Sequence, residues 1–478
     1  MADREESSSD LDRADDLASR VRGVGRSTAA TIAARAIDVG ATYAFYTVLA
    51  RSLSVADFGR FILGMTVLQI AALISRYGLD QALLTVPPSG TLNRFAARVV
   101  AAISVAMAVT VGVGFQLAGR PLPAFGAWLA AGLPVVVLAQ FVIGALRAGG
   151  RVSTAATAEG IVQPAGSFLF AAGVALLAPS PEGFAAAFLL SWVIAAGFAS
   201  RLEWRGPRID RAAASHLLRT GRSMLGVGLF QQAAASADVL LLGMVASAAE
   251  LGRYGAAQKV AAAYLLLHGA VGTAATPFMR ALADDPRMLM RYHRVVTRWS
   301  FTAAIPLLTM TIGVPALVLR LFGSDYAREG TPLILLSFAA AAILLSGPAG
   351  SVLLCTGRAR ELLFVTAAGA ATLALSVALL VRFGAIGAAA GVLIGRVIAR
   401  GLLLVTLRRL VIGSWIDRPL LLIVGAASAG VVIARTAAPW IGEIAAAAGG
   451  SFLALAAALG VLIREGDVDF LRSELRGS

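Results

Sequence analysis

Arg35, Arg396 and Arg400 lie inside long apolar runs of this 478-residue chain, and so do Asp38, Asp238, Glu159, Lys259 and His268. A charge at the centre of a membrane-spanning helix costs at least ~2.5–3.5 kcal/mol, so such a residue faces a partner or a polar cavity. Arg35 and Asp38 are three residues apart and share one face of a helix. Arg396 and Arg400 are four apart, after a stripe of small residues (Gly387, Gly391, Gly395) that permits close helix contact. The planar fork of guanidinium donors suits phosphate. A cationic cavity for a diphosphate or an acidic sugar is therefore one reading, with Lys259 as a fourth substrate-binding candidate. The other is internal pairing, Arg35 with Asp38 and Lys259 with Asp238, with Arg400 reaching out to one membrane surface. A desolvated carboxylate holds its proton more readily and can exchange it during transport. Asp38, Asp238 and Glu159 are accordingly candidates for ion coupling, or for fixed bridges between helices. His268 reads as an interior histidine. Gln69, Gln163, Gln231 and Gln232 could contact sugar hydroxyls or neighbouring helices.

No catalytic constellation accompanies these residues. The three histidines, His216, His268 and His293, are scattered, and Cys355 is the single cysteine, so no metal site and no disulfide is expected. No Walker-type phosphate loop is present. The chain reads as a non-enzyme without a cofactor, drawing energy from an ion gradient, the membrane potential or the substrate gradient.

The elements that must position these charges follow from composition. Hydrophobic residues make up 58% of the chain, charged residues 14%, and the mean hydropathy is +0.80. A soluble domain carries about 25% charged residues. A soluble enzyme, a disordered chain and a secreted disulfide scaffold are thereby excluded, and an all-α polytopic membrane protein remains. A spanning helix needs about 20 mostly apolar residues. Fourteen such runs are predicted, at 27–50, 58–76, 96–118, 122–146, 153–177, 183–203, 222–246, 252–279, 296–319, 331–355, 361–381, 385–407, 417–437 and 443–463. The runs are too long, and alternate too little, for a β-barrel.

The net charge of +14 comes from 40 arginines and one lysine against 27 acidic residues. The arginines cluster between apolar runs, the pattern of membrane loops rather than of nucleic-acid binding. With the N-terminus cytoplasmic, 29 arginines fall on the cytoplasmic side and 8 on the other. This split obeys the positive-inside rule and would invert if one span were missed. Both termini are thus expected in the cytoplasm of a bacterial inner-membrane protein. Residues 1–26 lack a signal-peptide pattern and read as a tail.

Ser54-Val-Ala-Asp-Phe-Gly-Arg-Phe61 returns as Ser247-Ala-Ala-Glu-Leu-Gly-Arg-Tyr254, both opening an even-numbered span. A six-span offset keeps the orientation, which implies two parallel, pseudo-symmetric six-helix lobes. The expected organisation is an N-lobe at 27–203, a basic linker at 204–221 lying on the inner leaflet, a C-lobe at 222–410, a helix pair within 411–463 and a tail at 464–478.

Three stretches carry a resemblance. They are Leu49-Ala-Arg-Ser-Leu-Ser-Val-Ala-Asp-Phe-Gly59 with Tyr77-Gly-Leu79; Ala237-Asp-Val-Leu-Leu-Leu-Gly243 with Leu251-Gly-Arg-Tyr254; and Phe322-Gly-Ser-Asp-Tyr326 with Gly384-Ala-Ile-Gly-Ala-Ala389. In order and spacing they resemble the polysaccharide (O-antigen-type) flippases of the multidrug/oligosaccharidyl-lipid/polysaccharide exporter superfamily. The resemblance implies two lobes around a central cavity. It implies export of an undecaprenyl-diphosphate-linked oligosaccharide by alternating access. Its partners would be that lipid-linked saccharide, membrane lipids, and the polymerase and glycosyltransferases of the same pathway, with no nucleic acid. Spans 13 and 14 fit the lipid-linked branches better than the 12-span drug exporters. A drug or cation antiporter is the alternative, and a membrane-embedded glycosyltransferase or ligase a more distant one, since no large external loop is present.

Overall fold

The computed structural model describes residues 37–86, 89–117, 124–199, 211–410 and 417–467. Fourteen long helices run through them. They are α1 (37–52), α2 (Val55–Arg76), α3 (Gly90–Leu117), α4 (Ala124–Ala148), α5 (Val152–Leu177), α6 (Pro181–Phe198) and α7 (Arg211–Val245). After them come α8 (Ala248–Ala281), α9 (Pro286–Gly313), α10 (Gly330–Leu345), α11 (Ala359–Leu380), α12 (Gly384–Leu410), α13 (Arg418–Ile441) and α14 (Glu443–Arg464). Eleven candidate spans long and apolar enough to cross a membrane lie among the described residues, one of them covering α11 and α12 together. No strand occurs among the described residues. The chain is a multi-pass membrane protein.

The helices start where the sequence supplies caps. Ser54 accepts from the Asp57 amide at α2, and Ser247 from the Glu250 amide at α8. Each is a Ser-x-x-acid capping pattern, and the two lie at equivalent places in the repeat. Ser180 before Pro181 opens α6, and Asp417 opens α13 with Pro419 in its first turn. α5 carries a π turn at Ala158–Val162, and α9 ends in another at Thr309–Gly313.

Packing repeats with the sequence. α2 packs on α4, α4 on α6 and α5 on α6; α8 packs on α10, α10 on α12 and α11 on α12 in the same way. These are two six-helix lobes of one plan. α13 and α14 pack chiefly on each other and on α9. The bundle has two faces. One holds the turns at 53–54, 246–247 and 314–329; the other holds those at 77–89, 282–285 and 346–358.

α2 joins the lobes at both of its ends. On the first face it crosses α8 at Gly59 and Gly252, the matching glycines of the repeat. A Cβ on Gly59 would overlap the Ala248 carbonyl and lie 2.6 Å from the Gly252 nitrogen; one on Gly252 would overlap the Val55 carbonyl. Only glycine permits so close a backbone approach. Around this crossing, Arg51 donates to the Leu321 carbonyl at 2.8 Å and Tyr326 donates to the Ala50 carbonyl at 3.2 Å. The Phe58 ring meets Tyr326 edge-on at 5.7 Å. On the second face, Gly78 (φ +67°) lies against Gly221, Met224 and Leu225 of α7.

Two expectations change in detail. Residues 211–221 do not form a separate linker: they are the first three turns of α7, with Leu217 fully buried against the N-lobe. Residues 204–210 lie outside the described residues. The span expected at 331–355 is broken by a turn at 346–348, where Gly347 takes φ +53° against Thr297 and His293.

Candidate functional site

The C-lobe places Arg396 and Arg400 one turn apart on α12, beside α11 and α7. Close packing of α12 on α11 depends on the small-residue stripe. A Cβ on Gly391 would sit 2.6 Å from Val377 Cα, and one on Gly395 2.5 Å from Leu373 Cα. Both guanidiniums edge a cavity of about 110 Å³ lined by Ala234, Thr366, Gly369, Leu373 and Leu403. Arg396 donates to the Ala234 carbonyl at 3.1 Å, on the stretch of α7 where the helix carries Asp238 one turn on. Among the described residues no carboxylate forms an ion pair with Arg396 or Arg400. Two half-buried positive charges therefore sit side by side on this cavity, with the buried Asp238 carboxyl of α7 the acidic group that acts on Arg396.

Asp238 is 5% exposed and accepts from the Tyr254 hydroxyl at 2.6 Å and from Gln258 Nε2 at 3.2 Å. Its ligands are neutral donors, and Lys259 is directed elsewhere. The Lys259 ammonium lies 4.6 Å from the centre of the Tyr46 ring, on α1 of the other lobe. A cation over an aromatic face is worth roughly 0.5–2 kcal/mol depending on desolvation. Next to it, the Tyr43 hydroxyl contacts the Lys259 carbonyl, lies 2.6 Å from the Val260 carbonyl and accepts from the Ala263 amide at 3.1 Å. The Lys259 carbonyl and Ala263 amide are the pair that α8's own ladder would join, so an N-lobe side chain is inserted into a C-lobe helix. Insertions of this kind are a recognised cause of helix bending.

The N-lobe encloses a different cavity, of about 180 Å³, between α1, α2, α4, α5 and α6. Gln69, Gln140, Gln163, Ser167, Thr42, Tyr46 and Trp192 are among its lining residues, none of which is charged. Gln163 donates to Ser167 at 3.0 Å and to Ser191 at 3.3 Å, and the two serines hydrogen-bond at 2.8 Å. The Gln140 Oε1 and Trp192 Nε1 atoms are buried and have no hydrogen-bond partner. Each such group costs about 1–3 kcal/mol if left unmet.

The remaining candidates are dispersed. Arg35 lies outside the described residues. Asp38 is at the start of the described part of α1 and accepts from Thr42 at 3.4 Å. Glu159 sits in the π turn of α5 and pairs with Arg147 on the half-exposed second face, away from both cavities. His268 is on α8, partly buried. Of the glutamines, Gln69 and Gln163 share the N-lobe cavity, Gln232 donates to Ser236 at 2.7 Å, and Gln231 is exposed. Sequence reasoning passed over Tyr43, Gln140, Trp192, Tyr254 and Gln258. Polar groups inside apolar runs are the signal that could have found them, Gln140 and Gln258 above all. Among the described residues no cluster of His, Cys, Asp or Glu could hold a metal ion.

The site thus belongs to an all-α membrane protein in which two six-helix lobes each enclose a polar cavity and a further helix pair flanks one lobe. Residues 154–329 match the family model described as "Polysaccharide biosynthesis protein". Among solved structures the chain is similar to the lipid II flippase MurJ in an inward closed conformation. That likeness has a TM-score of 0.70 at 11% identity and covers 91% of this chain and 98% of that one. It is also similar to a multidrug resistance MATE family transporter of the MOP superfamily. The inward-facing form gives a TM-score of 0.63 at 14% identity, covering 79% of this chain and 97% of that one. The outward-facing form gives 0.53 at 14% identity, covering 80% and 94%. Comparison with the curated proteins gives no significant match. The fold is the one these solved structures share, and the polysaccharide-biosynthesis match covers the second half of the first lobe and the start of the second.

Proposed function

We propose that this protein is a flippase that moves an undecaprenyl-diphosphate-linked oligosaccharide from the cytoplasmic to the outer leaflet by alternating access. The observation that carries the reading is the Arg396–Arg400 pair, two adjacent guanidiniums on a cavity with no ion-pairing carboxylate among the described residues. A diphosphate supplies the missing negative charge, and hydrogen bonds to charged groups contribute about 1.5–3 kcal/mol each. The polyprenyl tail would stay in lipid while the head crosses between the lobes. In this reading the second face and both termini lie in the cytoplasm of a bacterial inner membrane, an orientation that the arginine distribution favours. In this orientation the Gly59–Gly252 seam closes the outer side and the Gly78–Gly221 seam the inner one. The lobes would divide near the 204–210 connection, and the polymerase and glycosyltransferases of the pathway are the expected neighbours.

A drug or cation antiporter of the same fold is the second reading. It is favoured by the buried carboxylate of Asp238 and by the likeness to the MATE transporters. One experiment separates the two. Proteoliposomes carrying the protein receive lipid-linked saccharide in one leaflet, and its appearance in the other is followed, alongside efflux of a fluorescent lipophilic cation. Saccharide movement that is lost in Arg396→Ala, without cation efflux, supports the flippase. Cation efflux that is lost in Asp238→Asn, with static saccharide, sinks it in favour of the antiporter.

A further inference from the structure

We infer that Arg320 and Glu443 are positioning residues for a gate on the first face. α14 holds the side chain of Arg320, so that the backbone beside it stays presented to Arg51 of the other lobe. The inference rests on the alternating-access reading above and gives the extra helix pair a task in it. The connection between α9 and α10 leaves α9 at Gly313, where a Cβ would sit 2.9 Å from the Ala434 Cβ of α13. Its middle then meets the N-lobe. Arg51, at the end of α1, donates from Nε to the Leu321 carbonyl at 2.8 Å and from Nη2 to the Arg320 carbonyl at 3.5 Å. Further along, the buried Tyr326 donates to the Ala50 carbonyl. Beside these contacts a cleft of about 460 Å³ lies between residues 50–55 and Phe322–Tyr326. This edge of the seam therefore depends on hydrogen bonds more than on continuous packing.

Arg320 is gripped from the opposite side as well. Its guanidinium makes a two-pronged bond to Glu443, the first residue of α14, at 3.0 and 3.3 Å. Glu443 follows Gly442 (φ +85°) in the turn that joins α13 to α14. Trp440, just before that turn, is 87% exposed, as a ring anchored at a membrane interface would be. The turn is thus kept at one depth, and Glu443 fixes Arg320 there. The two side chains are 56% and 31% exposed, so the pair adds little to global stability. Its effect is geometric. When the lobes part on the first face, the α9–α10 connection must follow one of them. Held by α14 it stays with the C-lobe, and the contacts that break are those of Arg51 and Tyr326.

The test is the labelling rate of Ile62→Cys, buried at the Gly59–Gly252 crossing, in the full-length protein with Cys355→Ala. Membrane vesicles with the first face outward receive a membrane-impermeant maleimide, so the rate reads how often that crossing opens. Arg51→Gln removes the grip itself and is expected to raise the rate about fivefold. Glu443→Gln and Arg320→Gln are each expected to raise it about threefold, inside the range by which an exposed pair shifts an equilibrium. Because Glu443 acts through Arg51, Glu443→Gln should add less than about 1.5-fold once Arg51→Gln is present. Exchanging the charges, Arg320→Glu with Glu443→Arg, should return the rate to within about 1.5-fold of the parent. Unchanged labelling in both Gln variants, with Arg51→Gln active, overturns the positioning role and leaves alternating access standing. So does a Glu443→Gln effect that multiplies in full with that of Arg51→Gln, or a charge exchange that stays as fast as the single variants. Unchanged labelling in Arg51→Gln as well would mean that this seam does not open, and the alternating-access reading would fall with the inference.

Discussion

α1 brings Thr42 and Tyr46 to an N-lobe cavity lined with amides, hydroxyls and rings. α7, its counterpart six helices later, brings Ala234 to a C-lobe cavity edged by Arg396 and Arg400. The lobes share caps, packing order and the glycines that meet at their crossing, yet one cavity is neutral and the other cationic. Backbone plan and cavity chemistry are therefore carried by different residues. The plan resides in Ser54, Gly59, Ser247 and Gly252, where a cap or a close approach leaves little choice. The chemistry resides at cavity-facing positions that the plan leaves free. A second contrast follows. α3 of the N-lobe exposes Val105, Val109 and Val113, whereas α9 of the C-lobe is covered by α13 and α14.

The largest effect is expected where the shared plan is broken. Gly252→Ala drives a Cβ into the Val55 carbonyl, a rigid backbone atom, so α2 and α8 must part. Transport should fall at least tenfold. In a Cys355→Ala background, Ile62→Cys, buried at the crossing, should become open to a membrane-impermeant maleimide applied from the first face. Gly221→Ala, which meets the Tyr77 carbonyl at 2.8 Å, should expose the opposite face instead. Unchanged labelling in both would mean that the seams are packing and not gates.

The next largest effect tests the covered helix. Arg298 on α9 binds Asp467 after α14 with both carboxylate oxygens at 2.8 Å, and its other arm holds Asp417, the cap of α13. One guanidinium thus ties down both ends of the extra helix pair. Arg298→Ala leaves two nearly buried carboxylates without their main cation, a loss of about 3–5 kcal/mol. We expect a lowered thermal midpoint in detergent with lipid binding retained. A midpoint unmoved would show that α13 and α14 are held by apolar packing alone.

Much of this was legible in the sequence. The spans, the repeat and the small-residue stripe before Arg396 are local patterns of hydropathy and spacing, and helices in lipid must satisfy their own backbone. The meeting of Gly59 with Gly252 follows from the repeat and a symmetry axis. The partners of the charges were less accessible. Asp238 and Lys259 lie at similar depth, but depth does not fix the angle around a helix, and Asp238 takes Tyr254 and Gln258 instead. Trp192 and Gln140 read as ordinary members of apolar runs until four neighbouring helices close around them. The start of α7 was hidden because its first turns, Arg211 to Gly221, are too polar to score as a span.

Two smaller effects compare the lobes directly. Arg396→Lys keeps the charge and loses the fork, so diphosphate-lipid affinity should fall about fivefold, close to 1 kcal/mol. An equal affinity would mean that net charge alone draws the anion. Tyr43→Phe removes the hydroxyl that crosses from α1 into the ladder of α8. Losing a neutral hydrogen bond costs about 0.5–1.5 kcal/mol. The change should therefore show as a twofold to tenfold shift in the ratio of first-face to second-face maleimide labelling, with substrate affinity little altered.

The smallest effect is expected at Asp467, in contrast to its partner Arg298. Burial raises the Asp467 carboxyl above its ordinary range, although Arg298 pulls it down. A carboxylate raised in the folded state binds its proton more readily there than in the unfolded chain. Its contribution to stability therefore increases as pH falls into the window between the two values, and declines as pH rises through the folded value. Asp467→Asn copies the protonated form, removes that slope and leaves Arg298 paired with Asp417. We expect a thermal midpoint at neutral pH equivalent to within about 0.5 kcal/mol of wild type, as for a change that leaves no buried charge unpaired. The variant should also show a flatter dependence on pH across the acidic range. A loss as large as that of Arg298→Ala would instead mean that the ionised Asp467, and not the guanidinium's grip on Asp417, anchors the helix pair to the C-lobe.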